Sequence, residues 1–123
     1  MSKTHSTIYS FGYAIEGIKE AIKNEPNIRV HLAIGLVASI LAYIFKFSKT
    51  EWIILIFTIS FVLILEFINT ALEAIVDIVS PRTQRKAKIA KDVAAAAVLI
   101  SAILAVIVGL FLFLPKFLTI KPF

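Results

Sequence analysis

The sequence predicts an all-α membrane protein, in which an amphipathic surface helix precedes three transmembrane helices. Three observations predict it. Of the 123 residues, 59% are hydrophobic and mean hydropathy is +0.92, where a soluble domain is about 45–50% apolar. The apolar residues gather into three long runs, each near the roughly 20 residues that a helix needs to cross a bilayer. Ahead of them, apolar residues recur at steps of three and four, the spacing of one helical face.

The surface helix is expected over residues 8–24. Ile8, Phe11, Ile15, Ile18 and Ile22 form its apolar stripe, so it lies along the membrane rather than through it. Glu25-Pro26 ends it, because the residue before a proline is pushed out of the helical region. The first span follows over residues 30–47 (VHLAIGLVASILAYIFKF), short for a crossing, with Lys46 able to snorkel outward. Arg29 and His31 at its start read as headgroup anchors. Residues 47–50 form a tight turn. The second span covers residues 52–79 and the third residues 89–114. Between them Ser80-Pro81 breaks the chain and can open a new helix with proline in its first position. Pro115 ends the last helix.

Trp52 and Tyr43 read as interfacial belt residues, and Phe111, Phe113 and Phe117 as lipid contacts. Ala94–Ala97 with Ser101 reads as a close helix-packing surface. Neither a repeat nor a soluble second domain is visible, so residues 1–123 read as one domain. The absence of cysteine excludes disulfides and thiolate metal sites. The first residues lack the uninterrupted apolar core of a signal peptide.

Lysine and arginine set the orientation. Lys3, Lys19, Lys23, Arg29, Arg82, Arg85, Lys86, Lys88 and Lys91 fall on one side, and Lys46, Lys49, Lys116 and Lys121 on the other. Nine against four puts the N-terminus and the second loop in the cytoplasm and the C-terminus outside. The protein is expected in a cell membrane. Its cations sit at span ends, so no nucleic-acid partner is expected.

The second span carries Glu66, Asn69, Glu73 and Asp77. At about 100° per residue, all four fall within an arc of roughly 80° on one helical face. Ionisable groups at membrane depth are costly and rarely kept without a use. At about 1.5 Å per residue, Glu66 lies about 21 Å beyond Trp52, within the apolar core, and Asp77 about 38 Å beyond it, near the cytoplasmic edge. There the acidic face meets the basic run of residues 82–91 (RTQRKAKIAK), level with Glu25 and Arg29. Two or three carboxylates near phosphates suit Mg²⁺, a hard cation that takes oxygen ligands and keeps some waters. Glu25 and Glu73 are the ligand candidates. Glu66, the deepest, is placed to accept a proton from a lipid hydroxyl, and Asn69 one turn on to orient that hydroxyl or the base. Lys91 can reach a phosphate as a point charge. Asp92 beside it can bind metal, pair with Lys91 or favour the helix N-terminus.

Three other uses of these features stay open at this point. Such a stripe also serves as polar glue between helices in a non-catalytic scaffold. Basic loops also arise from topology alone. Aligned intramembrane acids also mark proton or cation pathways, although here the acids stop at Glu66 and the cores of the first and third spans have none. No phosphate-binding glycine loop or dinucleotide fingerprint occurs, so a nucleotide-using enzyme needs another architecture.

Glu66-Phe-Ile-Asn69-Thr-Ala-Leu-Glu73-Ala-Ile-Val-Asp77, followed by Lys88-Ile-Ala-Lys91-Asp92-Val-Ala-Ala-Ala-Ala-Val-Leu, closely resembles the prokaryotic diacylglycerol kinase family. The likeness runs from about Tyr9 to Leu110. It implies a homotrimer whose active sites, each built from more than one subunit, lie at the cytoplasmic interface and move the γ-phosphate of Mg·ATP to a lipid hydroxyl. Carried over by position, Glu66 is the general base and Asn69 its neighbour at the hydroxyl. Glu25 and Glu73 hold the metal, Lys91 and Asp92 contact nucleotide, and Asp77 lines the same site. Tyr13 and Gly17 on the surface helix cover the nucleotide. Two departures stand out. The enteric branch has a nucleotide-contacting arginine near the start of its surface helix, where this chain has Ser6, Thr7, Ile8 and Tyr9. The second loop, often acidic or His-containing in the family, is SPRTQRK here. Glu25-x-Asn27-x-Arg29-x-His31 with Phe11-Gly-Tyr13-Ala-x-Glu16-Gly17 resembles the Gram-positive branch, associated with undecaprenol as acceptor and undecaprenyl phosphate as product. The enteric branch prefers diacylglycerol.

Overall fold

The computed structural model describes residues 3–82 and 84–119, with side chains from Ser6 onward. Of the residues weighed for topology, the side chain of Lys3 and all of Lys121 lie outside this range, as does Thr83 of the basic run. Four helices follow one another: α1 (Lys3–Asn24), α2 (Pro26–Ile44), α3 (Lys49–Val79) and α4 (Arg85–Leu118). No strand occurs among the described residues. α4 packs along α3, α2 packs less extensively on α3, and α1 touches α2.

α1 begins before the expected Ile8. Ile8, Phe11, Ile15 and Ile18 all face outward, while Ala21 near its end is buried. An apolar stripe without a protein partner is what a surface helix presents to a bilayer. Glu25, in extended conformation, precedes Pro26 at the first position of α2, so the expected break holds, but the helix starts four residues ahead of Val30. Arg29 does something the sequence reading missed. Its Nη1 donates to the carbonyls of Ile22 at 2.8 Å and Lys23 at 2.9 Å. These are among the last, otherwise unpaired acceptors of α1, and a cation is favoured there by the helix dipole. Arg29 therefore ties the surface helix to the first span rather than acting only as a headgroup anchor.

The α2–α3 turn is tightly specified. Lys46 has φ 55°, with its N–H donating to Tyr43 and that of Phe47 to Ala42, the 5→2 and 6→1 pattern of a Schellman ending. Ser48 then caps α3: its Oγ accepts from Glu51 N–H at 3.2 Å, and Glu51 Oε1 accepts from Ser48 N–H at 3.0 Å. This capping box starts α3 at Lys49, three residues ahead of the expected Trp52. Ala42, Phe47, Leu55 and Leu112 form the buried core at this end. Phe113 packs on Phe47 with ring centroids 4.9 Å apart, and Phe117 meets Phe45 edge-on at 4.8 Å. Of the three expected lipid contacts, Phe111 at 79% and Phe117 at 50% are exposed, and Phe113 is turned inward against Phe47. α4 runs past Pro115 to Leu118, which places the Phe117 ring against Phe45. A proline so close to a helix end forfeits one hydrogen bond without stopping the last turn, and Thr119 N–H bonds its carbonyl at 3.1 Å. The extra turn also brings Lys116 to Glu51 at 3.2 Å.

At the other end α3 finishes with Ser80 N–H on the Val76 carbonyl. Pro81 does not open α4. Gln84 is the N-cap and Arg85 the first helical residue, because Ser80 Oγ bonds the Arg82 carbonyl at 2.9 Å and holds the chain in a turn. α2, α3 and α4 are long and apolar enough to cross a membrane. Less than a fifth of the most apolar stretch of each is buried, so their outward faces are matched to lipid or further protein rather than water. Gly35 lets α2 approach α3 closely: a Cβ there would sit 3.0 Å from Ile59 Cγ2.

Candidate active site

α3 presents its four polar residues in a gradient of burial. Glu66 is 2% exposed, Asn69 and Glu73 are half-buried, and Asp77 is exposed. This is the order of depth expected from their positions along the helix. Glu66 is thus turned into the protein, and Thr70 Oγ1 donates back to the Glu66 carbonyl at 3.0 Å.

Asn69 Nδ2 donates to Glu73 Oε1 at 3.3 Å. Glu66 Oε2 and Asn69 Oδ1 are buried with no hydrogen-bond partner among the described residues. Buried polar atoms are almost always satisfied, and an orphan costs about 1–3 kcal/mol. Two orphaned oxygens one turn apart on one face therefore call for a ligand that brings a proton or positive charge.

α4 supplies the cations. Lys91 Nζ pairs with Asp77 Oδ1 across the helix interface, and Lys88 Nζ pairs with Asp92 Oδ2 at 2.6 Å, one turn apart. Lys88 escaped the sequence reading as a site residue, although the Lys-x-x-x-Asp spacing is a legible pair signal. Glu25 sits at the α1–α2 junction with no capping hydrogen bond from its side chain. Tyr13 stacks on Tyr9 with centroids 6.5 Å apart, and a side chain on Gly17 would meet nothing within 4 Å. The structure thus joins Asn69 to Glu73, Asp77 to Lys91 and Asp92 to Lys88. Among the described residues no hydrogen bond or ion pair links Glu25, Tyr13 or Gly17 to that stripe. Among the described residues no three His, Asp or Glu side chains converge as a metal site. Two carboxylates completed by water and phosphate oxygens would still suit Mg²⁺, and the all-oxygen donors of this face fit that ion.

Three candidate membrane spans thus carry a buried acid and an amide on α3, with the lysines of α4 at the same end. The chain belongs to the prokaryotic diacylglycerol kinase family, whose model matches residues 12–113. It is 38% identical over 107 residues to the undecaprenol kinase of Bacillus subtilis, with 87% of each chain covered. A diacylglycerol kinase of Synechocystis is 40% identical over 92% of this chain, which spans 65% of that longer relative. The diacylglycerol kinase of Escherichia coli K12 is 34% identical over 81% of this chain and 82% of its own.

Proposed function

We propose that this lipid kinase moves the γ-phosphoryl group of Mg·ATP to the hydroxyl of undecaprenol, giving undecaprenyl phosphate and ADP. The carrying observation is the buried Glu66 carboxylate with its unpartnered Oε2. The likeness to the Bacillus subtilis undecaprenol kinase supports the acceptor. The lipid oxygen forms its bond to the γ-phosphorus as the bond to the β,γ-bridging oxygen breaks. Glu66 Oε2 takes the hydroxyl proton, which leaves no positive charge on the attacking oxygen. Asn69, whose Nδ2 has a second hydrogen beyond the one given to Glu73, donates it to the hydroxyl oxygen and orients that group. Burial keeps water from competing for the phosphoryl group.

Glu73 and Glu25 would hold Mg²⁺, which when bound neutralises phosphate charge. Lys91 exchanges Asp77 for a phosphate, and Asp92 with Asp77 lines the nucleotide site under Tyr13 and Gly17. Sites completed by a neighbouring chain in a homotrimer account for Glu25, Tyr13 and Gly17 standing apart from the stripe. The excess of lysine and arginine at the α3–α4 end supports an orientation with that end and the N-terminus in the cytoplasm.

Diacylglycerol is the second reading, favoured by the names of the Synechocystis and E. coli relatives. Both acceptors offer a primary hydroxyl at the interface. Transfer from labelled ATP in mixed micelles offering both lipids in competition separates them. Preferential labelling of undecaprenol supports the proposal, and preferential labelling of diacylglycerol replaces it. Label in neither lipid overturns both.

A further inference from the structure

The junction between the surface helix and the first span is built around one side chain. Each of the last carbonyls of α1 is given a donor. That of Glu20 receives Asn24 Nδ2 at 3.0 Å, and that of Ala21 receives the Glu25 N–H at 2.8 Å. Those of Ile22 and Lys23 both receive Arg29 Nη1. Helix ends commonly leave such carbonyls to water or to a local cap. Here the last two are closed by the next helix. We propose that Arg29 is a positioning residue for nucleotide and metal, which sets the angle of α1 on α2 and with it the places of Glu25, Tyr13 and Gly17. The inference rests on the kinase reading and adds to it a residue that touches none of the reacting atoms.

Three observations carry it. Glu25 lies between the two bonded helix ends. Its N–H is held by α1, and its carbonyl accepts from the Arg29 N–H of α2 at 3.5 Å, so both helices together place its carboxylate. The packing under the junction is small. Ala21 and Ile28 are buried there, while Ile8, Phe11, Ile15 and Ile18 face outward, so little else within the protein resists a swing of α1. Length then supplies leverage. At about 1.5 Å per residue, Tyr13 stands roughly 16 Å and Gly17 roughly 10 Å along α1 from Asn24, so a tilt of about 10° carries them about 3 Å and 2 Å. Hydrogen bonds tolerate only about 0.5 Å. Glu66 and Asn69 stand on α3 and do not move with α1. Loss of the Arg29 bonds should therefore weaken the hold on nucleotide and metal and spare the chemistry on bound substrate.

Arg29→Gln in the full chain in micelles should raise the KM for ATP and the half-saturating Mg²⁺ concentration about tenfold, with kcat within about threefold of wild type. The chain has no cysteine, so nitroxide labels at Ser10→Cys on α1 and Leu36→Cys on α2 report the separation of those two helices, once labelled chains are diluted into unlabelled ones. The distance should be single and narrow with Arg29 in place and broad in Arg29→Gln. Arg29→Lys, whose shorter side chain holds the carbonyls less well, should show both changes in smaller measure, and carries the test if Arg29→Gln folds poorly. Lys19→Gln removes the same charge from the exposed face of α1 and should match wild type in every reading. An unchanged distance distribution overturns the proposal, as do saturation constants that stay at wild-type values or equal effects of Lys19→Gln. The distance needs no turnover, so absence of phosphoryl transfer in the wild type would count against the kinase reading and leave the tie between α1 and α2 still tested.

Discussion

The two ends of the helical bundle are built on opposite principles. At the α2–α3 turn the backbone is closed by a Schellman ending and a capping box. Glu51 answers Lys116, Lys116 lies 5.7 Å over the Phe47 ring, and aromatic rings fill the space between α2, α3 and α4. At the α3–α4 turn the side chains are exposed ion pairs around a small cavity, and farther inside two buried oxygens have no partner. One end spends its residues on satisfying each other and so fixes how the spans sit together. The other holds its charges in exposed ion pairs and leaves two buried oxygens unpaired among the described residues, which suits the proposed role in binding substrate. A rigid, satisfied end lets the polar end hold buried, unpaired oxygens in place.

The sharpest break of this contrast is Glu66→Gln. Its kcat should fall roughly 10²–10⁴-fold, the usual worth of a general base, with little change in the KM for ATP and no loss of thermal stability in micelles. Turnover within tenfold of wild type would remove Glu66 from its role. Phe47→Ala is the opposite case. Emptying a buried ring site should cost about 3 kcal/mol of stability, read as a lower unfolding midpoint, while the refolded protein keeps its acceptor preference. Ser48→Ala, which removes the acceptor of the capping box, should cost about 1 kcal/mol by the same measurement. The smallest effect is expected from Lys46→Gly. It relieves about 1–2 kcal/mol of left-handed strain and gives back about 0.4–1 kcal/mol through a freer unfolded chain. The net should be a gain of about 0.5 kcal/mol, and a loss would show that the Lys46 side chain contributes contacts of its own.

Much of this was legible in the residues. The three long apolar runs gave three long helices, and the 0, 3, 7, 11 spacing of Glu66, Asn69, Glu73 and Asp77 did produce one face with Glu66 deepest. Helix ends were read less well. Pro81 and Pro115 were weighted as breakers, but Gln84 opens α4 and Leu118 closes it. The Ser48-x-x-Glu51 signature was present and would have located the start of α3. The role of Arg29 had no local signal, because its acceptors lie six and seven residues back, across a helix break.

The sequence by itself determined how many helices form, which face of each is apolar and where along α3 the acids stand. Those features follow from local periodicity and from the cost of leaving apolar surface in water, both written residue by residue. Only the tertiary structure decided that Lys91 meets Asp77, that Lys116 meets Glu51 and that Glu66 Oε2 and Asn69 Oδ1 are left unpaired. These depend on the rotation and register of α4 against α3. Packing of many side chains sets that register together, and no single motif encodes it.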